Sequence, residues 1–478
     1  MNADRPDANA LPAVLEHVDA TVDEAIERLF GLLRIESVST DPAYADACRE
    51  AADALVADLG SIGLDARRHD TPGHPMVVAH DTNGADDRPH LLFYGHYDVQ
   101  PVDPLELWHR PPFEPAIDET PAGPVIRARG AADDKGQLMT FVEACRAWKA
   151  VTGSIPARVS LFFEGEEESG SPSLIPFMKA HADELRADLA LVCDTGMWDA
   201  DTPTISTMLR GMAGEEVTIT GPSLDLHSGM YGGPAINPVR VLSRILADLH
   251  DDAGRVTLEG FYDGVEETPP EVLEQWAGLK LDESEWLGAV GLSTPAGERG
   301  RSVLEQVWAR PTAEVNGITG GYTGAGFKTV LPSTASAKLS FRLVGEQDPE
   351  AVVAAFRAHV EARLPPDCTA SYRSKDGARA TVMATTRPEF ELARGALGDE
   401  WPNPAVFAGS GGSIPVVGHI RTLLGMDSLL VGFGLDDDAI HSPNEKYSVR
   451  SFHKGIRSWV RILDALARGE SGSAANAA

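Results

Sequence analysis

The sequence predicts an α/β protein: a mostly parallel, helix-covered sheet interrupted by an inserted α+β domain. Three observations carry that expectation. Before about residue 207, continuous apolar runs with abrupt polar ends alternate with helical patterns, as strands buried on both faces of a parallel sheet do. From about residue 207 the strand-like runs alternate apolar and polar residues, the pattern of strands with one wet face. After about residue 385 the first character returns.

The elements follow in chain order. Residues 13–34 place Val14, Leu15, Val18, Val22, Ile26, Leu29 and Leu32 near a 3.6-residue period, hence a helix. "PHLLFYG" (89–95), "ARVSLFFEG" (157–165) and "ADLALVCDTG" (187–196) read as buried strands, with helices expected in "FVEACRAWKAV" (141–151) and "SLIPFMKAHADEL" (173–185) between them. That β-α-β rhythm gives the parallel sheet. In the insert, "GEEVTITG" (214–221), "SAKLSFRLV" (336–344) and "CTASYRS" (368–374) are strands, and 237–251 and 348–364 are amphipathic helices. A helix at 388–397 and the run "DSLLVGFG" (427–434) resume the first domain. The expected division is 1–206 and 386–478 for the main domain and 207–385 for the insert.

A chain of 478 residues exceeds one core, consistent with two domains. Acidic residues outnumber basic ones 72 to 41, a formal charge of -31. That balance argues against nucleic acid and against an anionic membrane surface, both of which are held through Lys and Arg. Cys48, Cys145, Cys193 and Cys368 are scattered with no C-x-x-C pair, so neither a disulfide framework nor a thiolate zinc site is expected. No charged-then-apolar leader and no run of ~20 apolar residues is found, so a cytoplasmic location is expected.

Five stretches combine acid and histidine where strand-like runs end: "YGHYDVQP" (94–101), "RARGAADDKGQ" (127–137), "FFEGEEESGS" (162–171), "VCDTGMW" (192–198) and "DDDAIHSPNEK" (436–446). Ligands of open α/β sheets bind outside the carboxyl ends of the strands, so these segments are expected to meet at one edge. Each has a bland alternative. His96 could be a structural histidine, the Glu166–Glu168 run a solvated face, "DDKG" a surface turn and Asp194 a helix cap. Their coincidence favours a site. Three carboxylates directly after "VSLFF" would repel one another and lose solvation unless cations offset them. No nearby group of Arg or Lys matches them, so divalent metal is the expected counter-charge. Imidazole and carboxylate without thiolate suit zinc or manganese, and the number of carboxylates suits two ions about 3.5–4 Å apart.

"GHYDVQP", "RARGAADDKG", "EGEEESGS", "CDTG", "DLHSGMYGG" and "HSPNEK", in this order between about residues 30 and 460, resemble the dinuclear-metal aminoacylase and carnosinase-type dipeptidase family of metallopeptidases. That family also holds glutamate carboxypeptidase, acetylornithine deacetylase and succinyl-diaminopimelate desuccinylase. The resemblance implies a zinc-exopeptidase-like catalytic domain with an inserted lid or dimerisation domain. It implies that His96 and Asp194 hold one metal, that Glu168 and His441 hold the other, and that Asp133 bridges both across a cis Asp133–Asp134 bond. Asp98 would orient His96 and Glu167 would be the general base. His227 of "DLHSGMYGG" would steady the oxyanion, reaching in from the partner subunit of a homodimer.

Arg342 in "SFRLV" is a candidate for a substrate carboxylate by bidentate pairing, against the alternative of an arginine on a wet strand face. Gly411, Gly412 and Ser413 of "AGSGGSIP" offer backbone amides for the same task. The expected activity is two-metal hydrolysis of the amide bond in dipeptides or similarly small peptides. The alternative within the family is an N-acyl-amino-acid deacylase.

Overall fold

The computed structural model describes residues 10–81, 88–383, 385–412 and 414–469. It divides into two compact units: Met1–Thr207 with Met383–Ala408 and His419–Ala478, and Met208–Val382 with Gly409–Gly418.

The first unit is built on part of a nine-stranded sheet, with the order Asp65–His69, Met76–His80, Arg158–Glu164, His90–His96, Leu189–Val192 and Ser428–Leu430. The four central strands run parallel, as the uninterrupted apolar runs predict. The two N-terminal strands are antiparallel, which makes the sheet mixed at that edge. The six residues between them are too few for a parallel crossover. "DARRH" has no apolar alternation, which is why sequence pattern passes over it. Phe93 stacks on Phe141 at 4.0 Å and meets the edge of Trp459 at 5.7 Å, so the helices Lys135–Thr152 and Val449–Arg468 pack on the sheet. The segment read as one helix over 173–185 is two, Leu174–Ala180 and Ala182–Leu185, parted at His181.

Register fixes what emerges at the strand ends. His96 lies opposite Glu164, and Tyr94 opposite Val192. The ends of His90–His96 and Arg158–Glu164 are therefore level, and Leu189–Val192 stops two residues short of them. A separate three-stranded sheet pairs Lys446–Ser448 with Gly123–Arg127, and Gly123–Arg127 with Ala116–Thr120. It brings the segments after Arg127 and before Lys446 side by side, although more than 300 residues separate them in sequence.

The second unit is an antiparallel four-stranded sheet ordered Thr312–Gly320, Thr334–Leu343, Gly211–Thr220 and Thr369–Ala378. Helices Pro238–Ala247 and Pro349–Glu361 start on Asn237 and Asp348, whose side chains accept from the Val239 and Glu350 amides. They bury Val241, Leu242, Ile245, Val352, Phe356 and Val360 against Val217, Ile219, Leu339 and Phe341 of the strands. Three further helices, Pro270–Gly278, Glu283–Gly288 and Val303–Trp308, belong to the same unit. Residues 409–418, expected in the returning main domain, cluster with this unit. Arg210 Nε donates to the Gly411 carbonyl at 3.0 Å, and Gly409 lies so close to Trp308 that a Cβ there would come within 2.5 Å of it. No helix among the described residues is long and apolar enough to cross a membrane.

Candidate metal centre

His96 ends its strand fully buried, with its backbone N–H donating to Asp134 Oδ2 at 3.1 Å. Its ring spans two acids: Nδ1 lies 3.1 Å from the Asp98 carbonyl and 3.3 Å from Asp98 Oδ1, while Nε2 lies 3.0 Å from Asp133 Oδ1. Asp133 turns its other oxygen to His441, 3.0 Å from Nε2, and the same Nε2 lies 3.3 Å from Glu168 Oε2. Two sets of donor atoms result, each mutually within 4.8 Å: His96, Asp133 and Asp194, and Asp133, Glu168 and His441. Asp133 belongs to both. The peptide bond between Asp133 and Asp134 is cis.

The electrostatics match a cation-binding cluster. Burial pushes the Asp194 carboxyl well above the carboxylate range, with the charge of Asp133 adding to it. Burial also pushes Asp133 upward, but hydrogen bonds from His441 and His96 outweigh it and hold that carboxyl low. His441 is raised to about 10 by its bonds to Asp133 and Glu168. Glu167, on the turn Glu167–Ser169, is pushed up to about 7, first by burial and then by Glu168, Asp98 and Asp133 acting against His96. Acids this crowded and desolvated are relieved by positive charge, and the donors are the imidazole and carboxylate types that zinc and manganese take. The residues fit a two-metal site.

The loops carrying these donors are held by buried polar groups, of which the sequence singled out only Asp98, to orient His96. Asp98 Oδ2 accepts from Ser39 Oγ at 2.6 Å and from the Glu168 amide at 3.0 Å, and Oδ1 accepts from the Glu167 amide at 3.3 Å. One acid thus meets both the His96 ring and the amides of the turn bearing Glu167 and Glu168. Glu166 accepts from the His74 and Ser173 amides, at 2.7 and 2.8 Å. Gln100 Nε2 donates to Glu168 Oε2 at 2.7 Å. Lys135 buries its ammonium against the carbonyls of Leu32 and Ile35. Gln100 follows Asp98 by two residues in "HYDVQP", a signal that was available. Glu166 was legible only as one of three acids in a row.

Backbone strain gathers at the same place. Five non-glycine residues take left-handed φ among the described residues. Ala439, His441 and Asn444 lie on the loop carrying His441, and Ser171 on the loop following Glu168. Such conformations persist where surrounding bonds over-determine them. Asn444 is pinned by the His109 amide and the Leu107 carbonyl.

The remaining candidates lie in the second unit. His227 pairs with Val330 in a two-residue ladder, is exposed, and accepts from the Gly229 amide through Nδ1. Arg342 is half-buried on Thr334–Leu343, opposite Met212 on one side and Thr312 on the other. Gly412 is exposed and donates its N–H to Ser410 Oγ. Ser413 lies outside the described residues.

Comparison with known proteins agrees with the family expected from the motifs. The chain is 28% identical over 472 residues to the Cys-Gly metallodipeptidase dug1 of Schizosaccharomyces pombe, covering 96% of this chain and 98% of that one. It is 25% identical over 493 residues to the Beta-Ala-His dipeptidase of Rattus norvegicus, covering 98% of each. Among solved structures it resembles an M20 family metallo-carboxypeptidase from Sulfolobus solfataricus, with a TM-score of 0.82, 29% identity, and 93% and 99% of the two chains covered. Residues 92–465 match the model of peptidase family M20/M25/M40, and the chain belongs to that family.

Proposed function

We propose that this protein is a two-metal exopeptidase that hydrolyses the amide bond of dipeptides or similarly small peptides. The observation that carries the reading is the pair of donor sets sharing Asp133, with Glu167 next in sequence to a member of one set. His96 and Asp194 would hold one ion, Glu168 and His441 the other, and Asp133 both. Zinc suits the donors best, and manganese is the alternative. Such ions, when bound, acidify a water and polarise the substrate's carbonyl.

The chain's own residues supply the rest. Glu167 takes the proton from the attacking water on its carboxylate and returns it to the leaving amine nitrogen. Asp98 keeps His96 Nε2 aimed at the donor set and keeps Glu167 in place through its amide. His227 donates to the carbonyl oxygen as negative charge develops there, contributed by the partner subunit of a homodimer that associates through the inserted unit. Arg342 and the backbone of Gly412 and Ser413 receive the substrate's carboxylate. The insert (207–385) serves as lid and dimerisation domain between the two parts of the catalytic domain (1–206 and 386–478), and the enzyme acts in the cytoplasm. The names of the relatives, which are dipeptidases with two different dipeptide preferences, support the substrate class.

The test is hydrolysis by the purified protein of free dipeptides, tripeptides, and N-acetyl and N-succinyl amino acids. Each is assayed before and after chelation and again with zinc or manganese restored. Metal-dependent cleavage of free dipeptides is expected. Cleavage confined to N-acyl amino acids would replace this reading with the deacylase. Metal-independent turnover would remove the two-metal mechanism.

A further inference from the structure

Glu445 is fully buried at the end of "HSPNEK", four residues after His441. Its backbone carbonyl accepts from the Ala128 amide at 3.3 Å, extending the ladder that pairs Lys446 with Arg127. Its side chain then folds over the next turn of the opposite segment. Oε1 accepts from the amides of Ala132 at 2.9 Å and Asp133 at 3.1 Å. Oε2 accepts from the Gly130 amide at 2.9 Å and from Arg129 Nη1 at 2.8 Å. Every oxygen is doubly satisfied, and three of the four donors are backbone N–H groups of the turn that presents Asp133.

That turn has little freedom left. Gly130 sits at φ +82, in the left-handed region that favours glycine, and a Cβ there would meet Val99 at 2.7 Å. Asp133 is the one residue common to both donor sets, so an error in its placement disturbs His96 on one side and His441 on the other. Glu445 is also on the chain segment that carries His441. It therefore ties the shared donor to the segment supplying the second histidine.

We propose that Glu445 is a positioning residue that sets the place of Asp133 and thereby makes the two metal positions fill together. The proposal rests on the two-metal reading above. In Glu445→Gln an NH2 group replaces one acceptor oxygen, so a pair of N–H donors faces a donor. In Glu445→Asp the charge stays but its oxygens withdraw from the amides. Arg129→Gln is the control. It breaks the same buried ion pair while leaving the three amide bonds to Glu445 intact.

The measurement is titration of each metal-free full-length protein with zinc or manganese against a competing chelator, alongside thermal melting of the same samples. The expected result is two equivalents bound by the native protein. In both Glu445 variants, affinity at both equivalents falls together by about 10–100-fold, with kcat lowered and KM little changed. Arg129→Gln is expected to melt earlier yet bind two equivalents as the native protein does. If Glu445→Gln does not fold, Glu445→Asp decides alone. Native affinity in a folded Glu445 variant, or an equal loss in Arg129→Gln, overturns the positioning role and leaves the two-metal reading standing. A native protein that takes up no metal overturns both.

Discussion

Acids buried around the donor sets and acids buried in the second unit are held in different ways. Around the donor sets, Asp98, Asp134, Glu166 and Glu445 take their hydrogen bonds chiefly from backbone amides. In the second unit, the buried acids pair with side chains. Glu298 holds Arg310 at 2.9 Å, and Glu215 holds Arg357 at 3.1 Å and Ser374 at 2.9 Å. A carboxylate bonded to amides fixes the path of a loop. A carboxylate bonded to an arginine joins two elements whose paths are already set by strands and helices. The first arrangement belongs where donor atoms must be held to within a fraction of an ångström, and the second where an apolar core such as that around Phe341 and Phe356 already defines the structure.

This contrast can be broken at either end. Glu167→Ala should lower kcat by about 10²–10⁴-fold while the protein still binds two metal equivalents, measured by steady-state kinetics and metal analysis. Retained turnover would remove Glu167 from its role. Phe341→Ala, in the second unit's core against Phe261 and Phe356, should cost about 3–5 kcal/mol in a urea titration while metal uptake by the folded protein is unchanged. Metal affinity falling with it would mean that the two units are not separable in this sense. Gln100→Ala removes the donor to Glu168 and should weaken metal affinity or kcat by about 10–100-fold with little change in melting. A loss of stability instead would make Gln100 an ordinary packing residue.

Glu400 sharpens the comparison from within the first unit, because its carboxylate meets side chains: Lys454, Arg457 and Arg461. Burial pushes its carboxyl up, but those three bonds outweigh it and hold it below the ordinary range. A depressed carboxyl contributes stability that is full above the ordinary glutamate pKa and is lost as pH falls through the folded value. Glu400→Gln should therefore cost about 1–3 kcal/mol at neutral pH, with the gap to the native protein narrowing through the acidic range and activity at neutral pH unchanged. A gap constant with pH would show that the charge of Glu400 is not what stabilises.

The family and the α/β class could be read from the chain because each is written locally, and so could the five residues that the structure brings together as candidate donors. Uninterrupted apolar runs mark the central strands, and His96, Asp133, Glu168, Asp194 and His441 lie in motifs a few residues long. Of the N-terminal antiparallel strands, Asp65–His69 escaped because "DARRH" carries no apolar period, whereas "MVVAH" is an apolar run that could have been read, and the break at His181 escaped because both halves keep a helical pattern. What only the tertiary structure decided is which acid answers which amide. Glu445 and the Asp133 turn are more than 300 residues apart, and Asp98 and the Glu167 turn nearly 70. Short-range periodicity carries no information about a hydrogen bond between such segments. It forms only when strand register brings the ends of His90–His96 and Arg158–Glu164 level and sets Lys446–Ser448 beside Gly123–Arg127.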